Sequence, residues 1–351
     1  MKDYKDKDYK IFNKHCKKYK YYPLILPAHK RIIAIGDLHG DYDMTLSALK
    51  LGKVIDNSNN WVGDDTIVVQ VGDQVDSCRP FTKSCNDPSN SVFTSHVDDT
   101  TPEDVKVLKF MTTLHDQAVK SGGMVINLLG NHEIMNVMGD MRYVSYNDVQ
   151  RFKNYNGYSD PLKARKSAFR PGGELATLLA CTRIPVIIIG SFIFIHAGLI
   201  NTYLQKMQIK GTEDLYKISY FIRKWLLGLI DKNYVSDIVG SKDSLFWDRI
   251  LGTIPPNMNN NHPKCEEYLN TALKLFKVDK MIIGHTPQSF LHNSGINKTC
   301  DDKLWRIDFG GSFGFNTFDT NYTKTHKIND LRNVQVLEIL DDKIINILKV
   351  N

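Results

Sequence analysis

Apolar and amphipathic stretches alternate along the first half of the chain. Residues 31–35 (RIIAI) read as a buried strand, residues 43–51 as a helix after a turn, and residues 66–71 (TIVVQV) as a second strand. Pro102 opens a helix in which Val105, Leu108, Met111 and Leu114 fall at helical spacing, and residues 124–129 (MVINLL) give a third strand. Strands that alternate with helices predict βαβ units and a parallel sheet, hence an α/β fold. Residues 77–102 are rich in Ser, Asn, Asp, Thr and Pro and read as a long loop insertion. The pattern then changes. Two short apolar runs, 185–189 and 192–195, are joined by Gly190-Ser191, a hairpin signal. Helices are expected over about 213–229 and 266–276. Apolar runs at 280–283, 304–308, 334–340 and 344–350 make a β-rich end, and no internal repeat is visible.

Composition narrows the class. The chain has 351 residues, 42% hydrophobic and 24% charged, which supplies a core and excludes disorder of the whole chain. The longest apolar stretch, 185–200, is shorter than the ~20 residues that span a bilayer and is broken by His196, Gly and Pro, so no transmembrane segment is expected. The first 23 residues lack the apolar run of a secretory signal. The formal charge is +6, and residues 1–30, with nine Lys and three Asp, carry all of it. A nucleic-acid-binding body would hold that charge on its folded surface, so nucleic acid is not an expected partner. The basic leader, residues 1–30, is expected to be a flexible tail able to contact an acidic partner or an anionic membrane surface. Six cysteines without a CxxC pair point to neither a disulfide scaffold nor a zinc site. A reducing, intracellular and cytoplasmic setting is the expectation, with Cys78 and Cys85, close in one loop, as a pair that spacing allows.

The chemistry sits at the carboxyl ends of the strands. The first leads into Gly36-Asp37-Leu38-His39-Gly40-Asp41, the second into Gly72-Asp73-Gln74-Val75-Asp76, the third into Gly130-Asn131-His132-Glu133. Two later runs end in His196-Ala197-Gly198 and Gly284-His285-Thr286. Ligand sites of open α/β sheets lie at such ends. Asp, His and Asn offer oxygen and neutral imidazole nitrogen to divalent ions, with no thiolate. There are enough for two ions, with Asp73 bridging, Asp37 and His39 on one side, and Asn131, His196 and His285 on the other. Any one of these residues alone reads as a cap or a turn former; five such ends in order leave little room for coincidence.

Taken in order, GDLHGD, GDQVD, GNHE, HAG and GHT resemble the calcineurin-like metallophosphoesterases, and within them the phosphoprotein phosphatases, over residues 31–312. Residues 129–144 (LGNHEIMNVMGDMRYV), Gly172-Gly173-Glu174-Leu175-Ala176 and Trp247-Asp248-Arg249 resemble the Shewanella-like protein phosphatases. The resemblance implies one catalytic domain over 31–351, built as a four-layer central β-sandwich flanked by α-helices. It implies two divalent metal ions, manganese and/or iron with zinc also possible. The activity it implies is hydrolysis of phosphate monoesters by a metal-bridging hydroxide. By motif, Asp37, His39, Asp73, Asn131, His196 and His285 would be ligands, His132 the general acid, and Asp76 the carboxylate that orients it. His132 as a seventh ligand is the alternative.

One position departs from the family pattern: Ser77 stands where an Arg follows the second Asp of the GDxxD motif. A phosphoryl group needs positive donors, best supplied by an Arg fork. Arg249, Arg79 and Arg142 are the candidates for phosphate binding. The Gly- and Phe-rich stretch 308–318 is expected to form a core β-bulge rather than line the cleft. Asp308-Phe309-Gly310 is a kinase triplet without the other kinase motifs. The expected substrate is a phosphorylated protein side chain, Ser/Thr or Tyr. Small phosphorylated molecules of the diadenosine tetraphosphate type are the first alternative, and a catalytically silent phosphoprotein-binding module is the second.

Overall fold

The computed structural model describes residues 3–80, 82–90 and 101–350. Its strands are β1 (Ile25–Leu26), β2 (Arg31–Ile35), β3 (Ile67–Gln70), β4 (Met124–Leu128), β5 (Arg183–Ile184), β6 (Val186–Ile189), β7 (Phe192–Ile195), β8 (Lys280–Ile283), β9 (Asn297–Thr299), β10 (Leu304–Arg306), β11 (Gln335–Leu340) and β12 (Ile344–Lys349). They form two six-stranded mixed sheets, in the orders β12-β11-β2-β3-β4-β5 and β1-β6-β7-β8-β10-β9. In the first sheet β2, β3 and β4 run parallel, with Ile32 opposite Ile67 and Ile67 opposite Met124. In the second, β6 and β7 form the expected antiparallel hairpin, and β7, β8 and β10 run parallel.

The central strands are buried along their whole length, which explains their near-continuous apolar sequence. Ile33, Val68 and Ile126 of one sheet and Ile187, Phe194 and Ile282 of the other belong to one continuous core. Helices flank the sheets. The ones that matter below are α1 (Tyr4–His15), α2 (Tyr42–Leu51), α3 (Glu103–Ala118), α4 (Asn131–Val137), α5 (Tyr146–Gln150), α6 (Pro161–Phe169), α7 (Glu174–Thr182), α8 (Asn201–Lys206) and α9 (Thr212–Leu226). Helix α3 begins one residue later than its sequence signal, since Pro102 is the residue before it. No helix among the described residues is long and apolar enough to cross a membrane. Of the loop insertion 77–102, residues 81 and 91–100 lie outside the described residues.

Two expectations are corrected here. The leader is not a loose tail: α1 packs on α9, with Tyr4 against Tyr220 and Phe221. Asp8, fully buried, pairs with Arg223 at 2.8 Å, and Phe12 lies under the same guanidinium. The rest of the leader continues into β1, which adds an edge strand beside β6. The cysteines are not free thiols either. Cys16 is bonded to Cys181, Cys78 to Cys85, and Cys265 to Cys300. Only the pair within one loop was readable from spacing; the others join positions 165 and 35 residues apart.

Candidate metal centre and active site

Each proposed metal ligand, with His132 and Asp76, lies in the segment that follows a strand end. The first sheet delivers Asp37 and His39 after β2, Asp73 and Asp76 after β3, and Asn131 and His132 as the opening of α4. The second delivers His196 after β7 and His285 after β8. All eight are buried. Four of them, His39, Asp73, Asp76 and His285, have positive φ of 44°, 55°, 72° and 67°. Non-glycine residues adopt that region only when their surroundings enforce it, and such positions gather at functional sites.

The enforcing contacts are specific. Leu38 and His39 both donate their N–H to Asp73 O at 2.9 Å, tying the first two loops together. Glu133 accepts from the backbone N–H of Gly130, Asp73, Gln74 and Val75 at 2.7–3.2 Å, so one carboxylate shapes the loops after β3 and β4. Asp37 accepts from His285 N–H at 3.0 Å, joining the two sheets. Two glycines are required by close approach: a Cβ on Gly130 would strike the Asp73 carboxylate, and one on Gly284 would strike that of Asp37.

Asp73 stands at the middle. Its Oδ2 lies 3.4 Å from His196 Nε2, 3.8 Å from His39 Nε2 and 3.9 Å from His132 Nε2. His39 Nε2 is also 3.9 Å from Asp37 Oδ2, and His196 Nε2 is 2.9 Å from Asn131 Oδ1. Two groups could each hold a cation, His39 with Asp73 and His132, and Asp73 with His196 and His285. The donor set fits. The Nδ1 atoms of His196 and His39 face the carbonyls of Val71 and Val75, so each ring can donate there and turn its Nε2 toward the centre. His285 Nε2 is buried with no hydrogen-bond partner.

Charge is unevenly matched in this cluster. Burial, then the neighbouring carboxylates of Asp308 and Asp73, raises the Asp37 pKa well above its ordinary value. Burial also works against the Asp73 carboxylate, but His196, His132 and His39 outweigh it and hold its pKa well down. Burial, with Arg79 and His132 adding to it, drives His39 well below the ordinary histidine value. Burial, with His196 and Arg249, does the same to His285. His39 and His285 are thus held toward the neutral form that divalent ions require of their ligands, whereas at His196 burial is outweighed by Asp73, which raises its pKa above the ordinary histidine value.

The three arginines differ in placement. Arg79 is buried, donates from Nη2 to His39 Nε2 at 2.7 Å, and stacks over Phe315 and Tyr143. Arg249 sits at the rim, donating to His285 O at 3.3 Å. Arg142 is exposed, and its fork is already taken by Asp140 at 2.7 and 3.0 Å. Ser77 takes no part in the cluster; its hydroxyl donates to Asp148 of α5 at 2.5 Å. The stretch 308–318 lines the site rather than forming a bulge. Residues 313–318 form a 3-10 turn, and Phe315 contacts the His39 ring.

The sequence profile of the calcineurin-like phosphoesterases matches residues 30–289. The chain belongs to the calcineurin-like phosphoesterases. An uncharacterised protein of Acanthamoeba polyphaga mimivirus is 38% identical over 257 residues, 68% of this chain and 97% of that one. Shewanella-like protein phosphatase 2 of Arabidopsis thaliana is 30% identical over 322 residues, 81% of this chain and 72% of that one. The crystal structure of a cold-active protein-tyrosine phosphatase from a psychrophilic Shewanella species superimposes with a TM-score of 0.65 at 22% identity, covering 94% of this chain and 83% of that one, and shows the shared fold. Membership in the calcineurin-like phosphoesterases makes the chain a metal-dependent phosphatase, and the groups around Asp73 could hold its ions.

Four buried residues of this member were not singled out from sequence. Glu133 was within reach, as the last letter of GNHE. Asp308 follows β10 as the other acids follow their strands, and its Oδ2 is buried with no hydrogen-bond partner. Asn136 and Arg165 gave no local signal, since their partners come from distant segments.

Proposed function

We propose that this chain is a protein phosphatase that hydrolyses phosphomonoesters of Ser/Thr or Tyr side chains at the Asp73 cluster. The observation that carries the reading is the carboxylate of Asp73, common to two groups that could each hold a cation, with His132 of the first group paired to Asp76. Asp37, His39, Asp73, Asn131, His196 and His285 would hold two divalent ions, manganese and/or iron, with zinc also compatible with the donor set. When bound, the ions supply a nucleophilic water and positive charge for the phosphoryl oxygens. His132 gives its Nε2 proton to the leaving oxygen, and Asp76 accepts from Nδ1 at 2.7 Å, fixing the ring. Arg79 and Arg249 bind the phosphoryl oxygens from the wall and the rim of the site. The named phosphatases among the relatives support a protein substrate over a dinucleoside polyphosphate. The complete donor set speaks against a silent binding module.

The test is hydrolysis of para-nitrophenyl phosphate and of phosphopeptides by manganese-loaded protein. Asp73→Asn is expected to abolish both activities, and His132→Asn to suppress phosphopeptide turnover most. Turnover of diadenosine tetraphosphate alone would move the reading to the small-molecule alternative. Stoichiometric metal without turnover of anything would move it to the binding module.

We propose that the basic leader contacts an acidic partner, and that an acidic segment of the substrate protein fills that role. Lys14, Lys17 and Lys18 line a groove of about 960 Å³ with Lys109 of α3, where they outnumber the acidic Asp116 and Glu174. Reversing them to Glu is expected to raise KM several-fold for an acidic phosphoprotein while leaving para-nitrophenyl phosphate untouched; equal KM for both proteins would remove this role.

A further inference from the structure

The Asp76–His132 pair is the end of a longer buried arrangement. Asp76 Oδ2 accepts from His132 Nδ1, and its other oxygen accepts from Asn136 Nδ2 at 2.8 Å. Asn136 lies four residues after His132 on α4, one turn along the same face, and its Nδ2 also reaches His132 O at 3.0 Å. Asn136 Oδ1 accepts from Arg165 Nε and Nη2 at 3.1 and 2.8 Å. Arg165, from α6, presents its other edge to Asp104 at the start of α3, at 3.1 and 2.6 Å. Asp104 Oδ2 in turn accepts from Asp76 N–H at 3.4 Å, which closes a ring. Asp76, Asn136, Arg165 and Asp104 are all fully buried.

The ring removes each orientational choice in turn. A guanidinium only donates, so the Asn136 carbonyl must face Arg165 and its amide must face Asp76. Asp76, an acceptor on both oxygens, is then held in one rotamer between the amide and the imidazole. The imidazole must carry its Nδ1 proton toward Asp76, which leaves Nε2 directed to the Asp73 side of the cleft. A buried ion pair is a poor source of stability compared with apolar packing, so this one is better understood through what it orients.

We infer that Asn136 and Arg165 are positioning residues for leaving-group protonation, acting through Asp76 on His132. The inference rests on the phosphatase reading above. In the step concerned, water adds its oxygen to phosphorus, the P–O bond to the leaving group breaks, and the leaving oxygen takes the proton from His132 Nε2. The proton shed by the water goes to solvent, from which His132 is reloaded.

A general acid matters in proportion to the basicity of the leaving oxygen, and this gives a readout that a merely structural role would not move. Single-turnover rates are compared for a phosphoserine peptide, whose alkoxide needs a proton, and for dinitrophenyl phosphate, whose phenolate does not. Asn136→Ala is expected to slow the peptide by about 10–100-fold, a part of the 10²–10⁴ that general acids typically supply, and to slow dinitrophenyl phosphate far less. Arg165→Met should show the same split, Arg165→Lys should recover part of it, and His132→Asn should show it in full. Metal content and melting temperature are recorded for each variant. Asn136→Ser is the substitute if Asn136→Ala does not fold. An equal loss on both substrates, or none on either, overturns the assignment. A wild-type protein inactive on both substrates instead refutes the phosphatase reading, so the two failures are distinct.

Discussion

At the residue scale, the missing arginine at Ser77 is the point on which phosphate recognition turns. Arg79, two positions on, is the candidate whose fork reaches the cluster, while Arg142 spends its fork on Asp140. His39 Nε2 has one lone pair, so Arg79 and a cation are alternatives for it. Arg79→Ala is therefore expected to weaken inhibition by inorganic phosphate and lower kcat/KM by at least about tenfold, the loss of a charge-assisted fork contact, without lowering metal content. Arg249→Ala should show a similar fall in kcat/KM, and Arg142→Ala should stay within about twofold, as surface pairs do. Phosphate inhibition constants and metal analysis of the three variants check this. A wild-type phosphate constant in Arg79→Ala would show that a rim residue does the binding. The proposed ligands were legible in the sequence because each follows closely on the end of an apolar strand. It could not rank the arginines, because rank depends on which way a loop bends.

Among the elements, the longer strands and the long helices α3 and α9 were readable from periodicity, while the short strands β1, β5 and β9 and the helix α1 were not. Tyr4–His15 offers few apolar positions, burying only Asp8 and Phe12, so a local reading takes it for a solvated tail. What holds it is distant: Arg223 on α9 and Cys181 on α7. Tyr22, further along the leader, meets His115 of α3 edge to face at 4.9 Å. His115 Nδ1 accepts from Val125 N–H at 3.2 Å, so a proton on that nitrogen would face another donor. Burial drives its pKa from 6.5 down to about 4, with Lys20 and Arg183 adding to the shift and Asp116 opposing it. The unfolded chain therefore takes up this proton first as pH falls. The stabilisation is complete above pH ~6.5, declines as pH falls, and is lost below ~4, on the order of 3 kcal/mol by linkage. Asp41, raised to about 6 mainly by burial, acts in the opposite direction, since its folded form binds a proton more readily. The comparison of variants isolates the histidine. His115→Gln keeps an acceptor for Val125, and its loss of melting temperature between pH 7 and pH 5 should be smaller than that of wild type. Parallel curves would mean that His115 is not the group responsible.

Across the whole molecule, the site is a seam. One sheet contributes Asp37, His39, Asp73 and Asn131, the other His196 and His285, and the backbone contact between Asp37 and His285 crosses between them. Asp37, Asp73, Glu133 and Asp308 place four buried carboxyl groups around this seam. Burial and their mutual repulsion raise Asp37, Glu133 and Asp308, the last to about 6. Such a set is short of positive charge until cations arrive, and cations held from both sheets would bind the folded chain and not the unfolded one. That linkage makes metal a stabiliser of the fold and not only of the reaction. At a hundredfold excess over its dissociation constant, an ion adds about 2.7 kcal/mol to folded-state stability, which moves the melting temperature by roughly 4 °C in a chain of 351 residues. Removal of metal by EDTA should lower the melting temperature of wild type by that order, and manganese should restore it. Asp73→Asn, which weakens the carboxylate shared by both groups, should respond little to either treatment, and His285→Ala should respond partly. Arg142→Ala, outside the cluster, should respond as wild type does. A wild-type melting temperature indifferent to EDTA, measured on protein shown to contain metal beforehand, would mean that the ions do not join the two sheets.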